Sequence, residues 1–266
     1  MTNQNTRPLA VVTGGSNGIG FELAKQFVGN GHDVLICAHN GGRLQDAAQR
    51  LSAEGVHVTT HAADLSREDG VDSLIAAIRS AGRPVDVLCI NAGFGLGGPF
   101  VETDIERELA MIDLNVRGAV QLTKPLVQEM VARGSGKILF TSSVASSMPD
   151  PFEAVYGATK VFLRWFGDAL RSELRDTGVG VTVLMPGPTE TDFFNRAGML
   201  DTKIGASNSK DDPALVAKAA FDALQSDQDK VTPTVKNKVM SAVTELLPDK
   251  AAAALHRGLS KPGSAN

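Results

Sequence analysis

Tyr156 and Lys160 stand four residues apart in the segment AVYGATK, within a helical pattern that begins near Phe152. Side chains at i and i+4 share a helix face roughly 5 to 6 Å apart, so a lysine ammonium would lie beside a phenol. A free tyrosine has a pKa of about 10, and a nearby positive charge favours the phenolate and lowers that value. The pair is therefore suited to acid/base work near neutral pH. Just upstream, the apolar strand Ile138 to Thr141 ends in Ser142 and Ser143, and a turn rich in Ser, Pro and Asp leads into the helix. A hydroxyl at such a strand end can steady an oxygen on which charge develops.

Ser143, Tyr156 thirteen positions later, and Lys160 resemble the active-site signature of the short-chain dehydrogenase/reductase family. The interval favours Ser143 and leaves Ser142 a structural part. The resemblance implies hydride transfer between a nicotinamide and a carbonyl or alcohol carbon. It gives Tyr156 the proton, Ser143 the substrate oxygen, and Lys160 the ribose hydroxyls together with a bias of Tyr156 towards ionisation. It also implies that Asn115, in DLNVRG, locally disturbs its helix and holds a water linking Lys160 to solvent. Asparagine is a poor helix former, so its place inside the helical pattern 104 to 133 needs a reason in any case. Packing against a neighbouring helix is the plain alternative.

The remaining elements read as a frame for a dinucleotide. LAVVT, residues 9 to 13, is a short apolar strand before Gly14, Ser16, Asn17, Gly18, Ile19 and Gly20, and an amphipathic helix follows to Val28. Glycines admit a ligand close to the backbone, and a helix N-terminus offers free N–H groups to a pyrophosphate. The spacing G-x-x-x-G-x-G departs from G-x-G-x-x-G and is similar to the short-chain pattern. The strand Asp33 to Ala38 ends where an acid would bind the ribose of NAD and a cation would accommodate the phosphate of NADP. Ala38 stands in the acid's place, and His39, Asn40 and Arg43 can donate hydrogen bonds. This favours NADP(H) and leaves NAD(H) open, since Arg43 equally suits solvent at a helix start.

Asp64 and Leu65 match a family position that contacts adenine, although an N-capping turn explains Asp64 as well. Asn91, Ala92 and Gly93 resemble the NAG element beside the cofactor. Pro186, Gly187, Thr189 and Thr191 resemble the PG element, whose threonine and backbone groups bind the nicotinamide carboxamide; a proline turn capping a helix is the alternative. Family relatives also pair the helices at 104 to 133 and after Phe152 with those of another subunit, so a homodimer or homotetramer is expected. Leu163, Phe166, Leu170 and Leu174 would face either that partner or the chain's own sheet.

Strands at 9–13, 33–38, 56–61, 85–90, 138–141 and 179–185 alternate with helical segments. That alternation predicts an α/β, Rossmann-like, doubly wound parallel sheet with helices on both faces, within one domain over 1–266. All the motifs then fall at the carboxyl ends of strands, where open α/β sheets bind ligands. With 266 residues and 42% hydrophobic content there is ample material for a core, and a net charge of −4 gives no footprint for nucleic acid. No run approaches the roughly 20 apolar residues of a membrane span, and a cytoplasmic protein is expected. Cys37 and Cys89 sit in apolar runs and read as buried thiols, and no metal site is expected.

Residues 190–212 lack periodicity and read as a substrate-covering segment. Phe193, Phe194, Met199 and Leu200, with Phe94, Met148 and Phe152, are expected to wall an apolar pocket. The tail, 231–260, carries an apolar stripe of Val235, Val239, Val243, Leu246 and Leu247, expected to pack on the domain or a second subunit rather than on a membrane. The function expected is an NADP(H)-dependent oxidoreductase acting on a small-molecule carbonyl or alcohol. The rival is a nucleotide sensor or scaffold of the same fold, which has no need of the proton donor Tyr156.

Overall fold

The computed structural model describes residues 7–52 and 55–265. β1 (Leu9–Thr13) is buried along its whole length, with Leu9 and Val11 in one apolar core and Ala10 and Val12 in another. A strand covered on both faces reads as a continuous apolar run, and LAVVT is such a run. After α1 (Gly18–Gly29), β2 (Asp33–Ala38) pairs with β1; α2 (Gly41–Leu51) leads to β3 (Val58–Ala62) outside β2. Then α3 (Glu68–Ser80) returns the chain to β4 (Val87–Ile90) on the other side of β1. The order reverses at the β1–β4 seam, which opens a crevice at the carboxyl edge.

Beyond β4 the chain runs through α4 (Ile105–Ile112), α5 (Ala119–Arg133), β5 (Gly136–Thr141), α6 (Ala154–Glu173) and β6 (Val179–Leu184). Two short helices, α7 (Phe193–Arg196) and α8 (Lys203–Ala206), precede α9 (Pro213–Gln225), and β7 (Lys230–Val231) completes the sheet. All pairings are parallel in the order β3-β2-β1-β4-β5-β6-β7. Leu74, Leu122 and Leu163 from α3, α5 and α6 cover one face, and Phe27, Leu44 and Phe221 from α1, α2 and α9 the other. The expected doubly wound parallel sheet is the fold observed. β7 was not anticipated, because two residues carry no periodicity.

The helical pattern expected to run from 104 to 133 is broken. Residues Asp113–Gly118 form a turn of π-helix between α4 and α5. Asn115 sits in it, fully buried, where its Nδ2 donates to the Phe94 carbonyl and to Thr159 Oγ1, both at 3.0 Å. Its Oδ1 accepts the Phe94 N–H at 3.1 Å. The extra residue in the turn swings this amide away from the helix and onto the strand end and α6.

On α6, Leu163 and Leu174 are buried in the core, with Phe166 and Leu170 packed against it, so these four face the chain's own sheet. Phe162 and Trp165 point outward instead. The tail forms α10 (Val235–Leu246) and α11 (Asp249–Ser260), and of the two packings expected for its stripe, the one on the chain's own domain is not observed. The stripe is turned out, Val235 being 75% and Leu246 87% exposed, while Asn237, Ser241 and Thr244 are buried. Specific polar partners decide this: Asn237 bonds Asp211, Ser241 meets Ser147 at 2.7 Å, and Arg164 pairs with Glu245 at 2.7 Å. No helix among the described residues is long and apolar enough to cross a membrane.

Asn115→Ala leaves the Phe94 N–H and C=O without their partner. Each buried unpaired group costs about 1–3 kcal/mol, so a loss of about 2 kcal/mol or more of unfolding free energy is expected. Urea denaturation checks it, and an unshifted midpoint contradicts it.

Candidate active site

The site is assembled from strand ends. Thr13 Oγ1, at the end of β1, donates to the Cys89 carbonyl at 3.1 Å and accepts the N–H groups of Asn91 and Ala92 at 2.9 and 3.0 Å. Asn91 Nδ2 donates to the Thr13 carbonyl at 3.0 Å, and its Oδ1 accepts from Thr141 Oγ1 at 3.2 Å. Three adjacent strands are thus tied where their ladders stop. Gly93 follows, and a Cβ there would press on Asn115 Oδ1 at 2.9 Å and Lys160 Nζ at 3.4 Å.

Gly14 and Gly18 adopt φ of 68° and 54°, the left-handed region in which glycine is unstrained. A Cβ on Gly20 would collide with the Gly14 carbonyl, so the turn closes only with glycine there. Asn17 precedes α1 without a side-chain cap, which leaves the first N–H groups of the helix for an anion. This cradle fits a dinucleotide pyrophosphate. At the end of β2, Asn40 caps α2 by accepting the Arg43 N–H at 3.0 Å, His39 stands 3.7 Å from Asp64, and Arg43 3.5 Å from Asp192. Asp64 also accepts from the N–H and hydroxyl of Ser66, a turn before α3 that does not cap the helix, whose N-cap is Arg67 without a side-chain bond.

The chemistry-bearing residues converge on β5 and α6. Ser143 Oγ accepts the Ala145 N–H at 3.1 Å, and its hydroxyl lies near enough to the Tyr156 phenol to favour the phenolate. Ser142 Oγ donates to the Lys160 carbonyl at 2.7 Å and so fastens α6 to the strand end. Lys160 Nζ donates to the Thr141 carbonyl at 3.0 Å and lies 5.7 Å from the centre of the Tyr156 ring. Thr159 Oγ1 donates to the Tyr156 carbonyl at 2.7 Å while taking the Asn115 bond, so the π-turn braces this part of α6.

Electrostatics differ from the expectation that Lys160 would lower the Tyr156 pKa. Burial pushes the phenol up, the Glu153 carboxyl adds to that, the Ser143 hydroxyl pulls back, and Asp150 raises it again. Lys160 is itself lowered to about 8 by burial. Removing both groups from water outweighs their mutual influence, because desolvation penalises the charged form of each.

A cavity of about 790 Å³ runs from the glycine loop to the C-terminal helices, towards the upper end of the roughly 300–1,000 Å³ usual for ligand sites. Every expected cofactor residue, from Gly14 to Thr191, borders it, as do Ser143, Tyr156 and Lys160. Asn115 lies behind the wall. Of the expected pocket aromatics, Phe94, Phe193 and Phe194 face the cavity, as does Met148. Met199 is instead buried beside Phe194, Leu200 is 56% exposed, and Phe152 turns away beneath the Arg257 guanidinium. Sequence reasoning missed Glu153, Met240, Leu255, His256 and Leu259, which also border the cavity. An acid three residues before Tyr156 on the same helical start was the available signal for Glu153; the tail offered none.

The family model for short chain dehydrogenases matches residues 8–199. The chain belongs to that family. An NADP-dependent 3-hydroxy acid dehydrogenase, YdfG of Salmonella typhi, is 36% identical over 180 residues, 67% of this chain and 71% of that protein. A short chain dehydrogenase of Pseudocercospora fijiensis is 32% identical over 186 residues, and the alignment spans only 60% of that relative's length. Among solved structures, a short-chain dehydrogenase from Sphingobium yanoikuyae in complex with NADPH is 27% identical with a TM-score of 0.80, over 91% of this chain and 96% of that one. In this short-chain dehydrogenase, the cavity residues Met240, Leu255, His256 and Leu259 lie beyond the matched region.

Burial holds the Asp150 proton to a pKa of about 9 and the Glu153 proton to about 7. Unfolded carboxyls ionise near 4, so the folded state binds more protons between those limits and stability falls as pH rises through them. Asp150→Asn should flatten that fall from about pH 4 to pH 9, read as denaturation midpoints across the range. Parallel slopes in variant and parent would remove Asp150 as its source.

Proposed function

We propose that the protein is an NADP(H)-dependent oxidoreductase that reduces an apolar carbonyl compound, or oxidises the corresponding alcohol. The observation that carries this reading is the meeting of Ser143, Tyr156 and Lys160 on one wall of the cavity that starts at the Gly14–Gly20 cradle. The same meeting speaks against a sensor or scaffold, for which a proton donor has no use. The absence of an acid at Ala38, together with the NADP dependence of the Salmonella relative and the NADPH complex of the Sphingobium one, supports NADP(H). His39, Asn40 and Arg43 would border its phosphate, Asp64 and Leu65 its adenine, and Pro186 to Thr191 its carboxamide.

When bound, the nicotinamide supplies or accepts the hydride at the carbonyl carbon. Tyr156 gives its phenolic proton to the carbonyl oxygen, and its raised pKa keeps that proton in place at neutral pH. Ser143 donates a hydrogen bond to the same oxygen and stabilises the charge that develops there. Lys160, lowered to about 8, can return a proton towards Tyr156, with Asn115 positioning the water that links it to solvent.

Residues 190–212, with α7 and α8, cover the substrate, and 231–260 close its far end within one domain. The exposed Ile105, Leu109 and Ile112 of α4 and the Phe162 and Trp165 of α6 suit a second copy of the chain, giving a homo-oligomer.

Fluorescence titration with NADPH and NADH tests the cofactor assignment, with tighter NADPH binding expected. Tyr156→Phe should keep that binding while turnover of ketones falls at least about a hundredfold, the usual share of general acid catalysis. Full activity in the variant would end the assignment. Trp165→Glu should lower the mass seen in sedimentation velocity, and an unchanged mass would place the interface elsewhere.

A further inference from the structure

Asp150, Glu153 and His256 form a buried polar cluster that the proposed proton transfer does not use. Glu153 precedes the first turn of α6, and His256 reaches over from α11. Its Nε2 stands 3.4 Å from Asp150 Oδ1 and 3.6 Å from Glu153 Oε2, and Ser260 Oγ donates to the same glutamate oxygen at 3.1 Å. Asp150 and Glu153 are each 6% exposed and His256 5%. Neither oxygen of Asp150, nor Nδ1 of His256, has a hydrogen-bond partner of good geometry.

The cluster is short of positive charge. Among the described residues no lysine or arginine forms an ion pair with either carboxyl. The neighbouring Arg257 lies over the Phe152 ring, and Arg164 pairs with Glu245. His256 is held neutral, its pKa lowered by burial. Buried carboxyls are ordinarily matched by a cation, and one left unmatched stays protonated at an energetic cost. Asp150 fits that description, whereas Glu153 titrates near neutrality and borders the cavity. The same cavity is also lined by the apolar Met148, Met240, Leu255 and Leu259. The cavity's arginines, Arg43, Arg107 and Arg196, are exposed, and Arg43 and Arg196 stand 3.5 and 2.9 Å from Asp192.

We propose that Glu153, held by Ser260 and His256, is a specificity-determining residue that receives an ammonium group carried by the carbonyl substrate. The substrate class is then an amino ketone or amino aldehyde with an apolar body, and carbonyl compounds bearing a carboxylate are disfavoured at this end. The inference rests on the oxidoreductase reading for its carbonyl and on the cluster alone for its cation.

The test is calorimetric titration of the NADPH-saturated protein with N-methyl-4-piperidone, an ammonium near neutral pH, its uncharged isostere 4-methylcyclohexanone, and 4-oxocyclohexanecarboxylate. A charge-assisted hydrogen bond corresponds to about tenfold or more in affinity, so the piperidone should bind at least about tenfold tighter than its isostere, with the carboxylate weakest. Glu153→Gln keeps shape and the Ser260 bond and should bring that ratio close to one. Equal affinities in the parent overturn the inference by themselves, whether or not the variant folds, and so does a preference that survives the substitution. Turnover is read separately from NADPH absorbance. Reduction without discrimination rejects only this inference, and discrimination without reduction rejects the oxidoreductase reading.

Discussion

The hydrogen bonds around Thr13, Asn91 and Thr141 hold together the carboxyl ends of β1, β4 and β5, and the site depends on them. A parallel sheet delivers every strand to the same edge, but its ladder stops there, leaving backbone groups that need partners. One threonine hydroxyl and one asparagine amide satisfy several of these at once. They also fix the spacing between the glycine loop, Gly93 and the Ser142–Ser143 corner. Ser142 extends the same tie to α6 through the Lys160 carbonyl. Asn115 adds a second brace through Thr159, for which α4 and α5 are separated by a π-turn. Tyr156 and Lys160 thus stand on a helix anchored from both sides, the rigidity that catalytic positioning requires.

Water exclusion then sets the character of the groups so positioned. Desolvation raises Tyr156, Glu153 and Asp150 and lowers Lys160, so all four lean towards their neutral forms. A phenol held protonated beside a serine hydroxyl is suited to giving a proton to a carbonyl oxygen. The two acids of the turn before α6 reinforce this, and they do so because the C-terminal helix folds over them. α11 thus contributes both to enclosure and to the electrostatics of the pocket through His256 and Ser260.

The tail illustrates how polar partners can override an apolar pattern. Its stripe of Val235, Val239, Val243, Leu246 and Leu247 suggested a face packed on the domain or on a second subunit, and the domain does not receive it. Asn237, Ser241 and Glu245 instead find Asp211, Ser147 and Arg164, and those directional contacts turn the valines outward. Hydrophobic burial is nondirectional, so a few well-placed hydrogen bonds can choose the rotation of a short helix.

From sequence, the alternation of apolar runs and helical segments determined the doubly wound sheet, because a buried parallel strand and a 3.6-residue period each leave a local imprint. Local chemistry equally marked the Gly14–Gly20 turn, Asn115, and the Ser143, Tyr156 and Lys160 set, whose spacing is measured along one strand end and one helix. What only the tertiary structure decided is the environment of those groups: the upward push on Tyr156, the inward face of α10, the departure of Met199, Leu200 and Phe152 from the pocket wall, and the meeting of Glu153 with His256. Each depends on residues far apart in the chain becoming neighbours, and desolvation, unlike periodicity, is a property of the neighbours rather than of the residue.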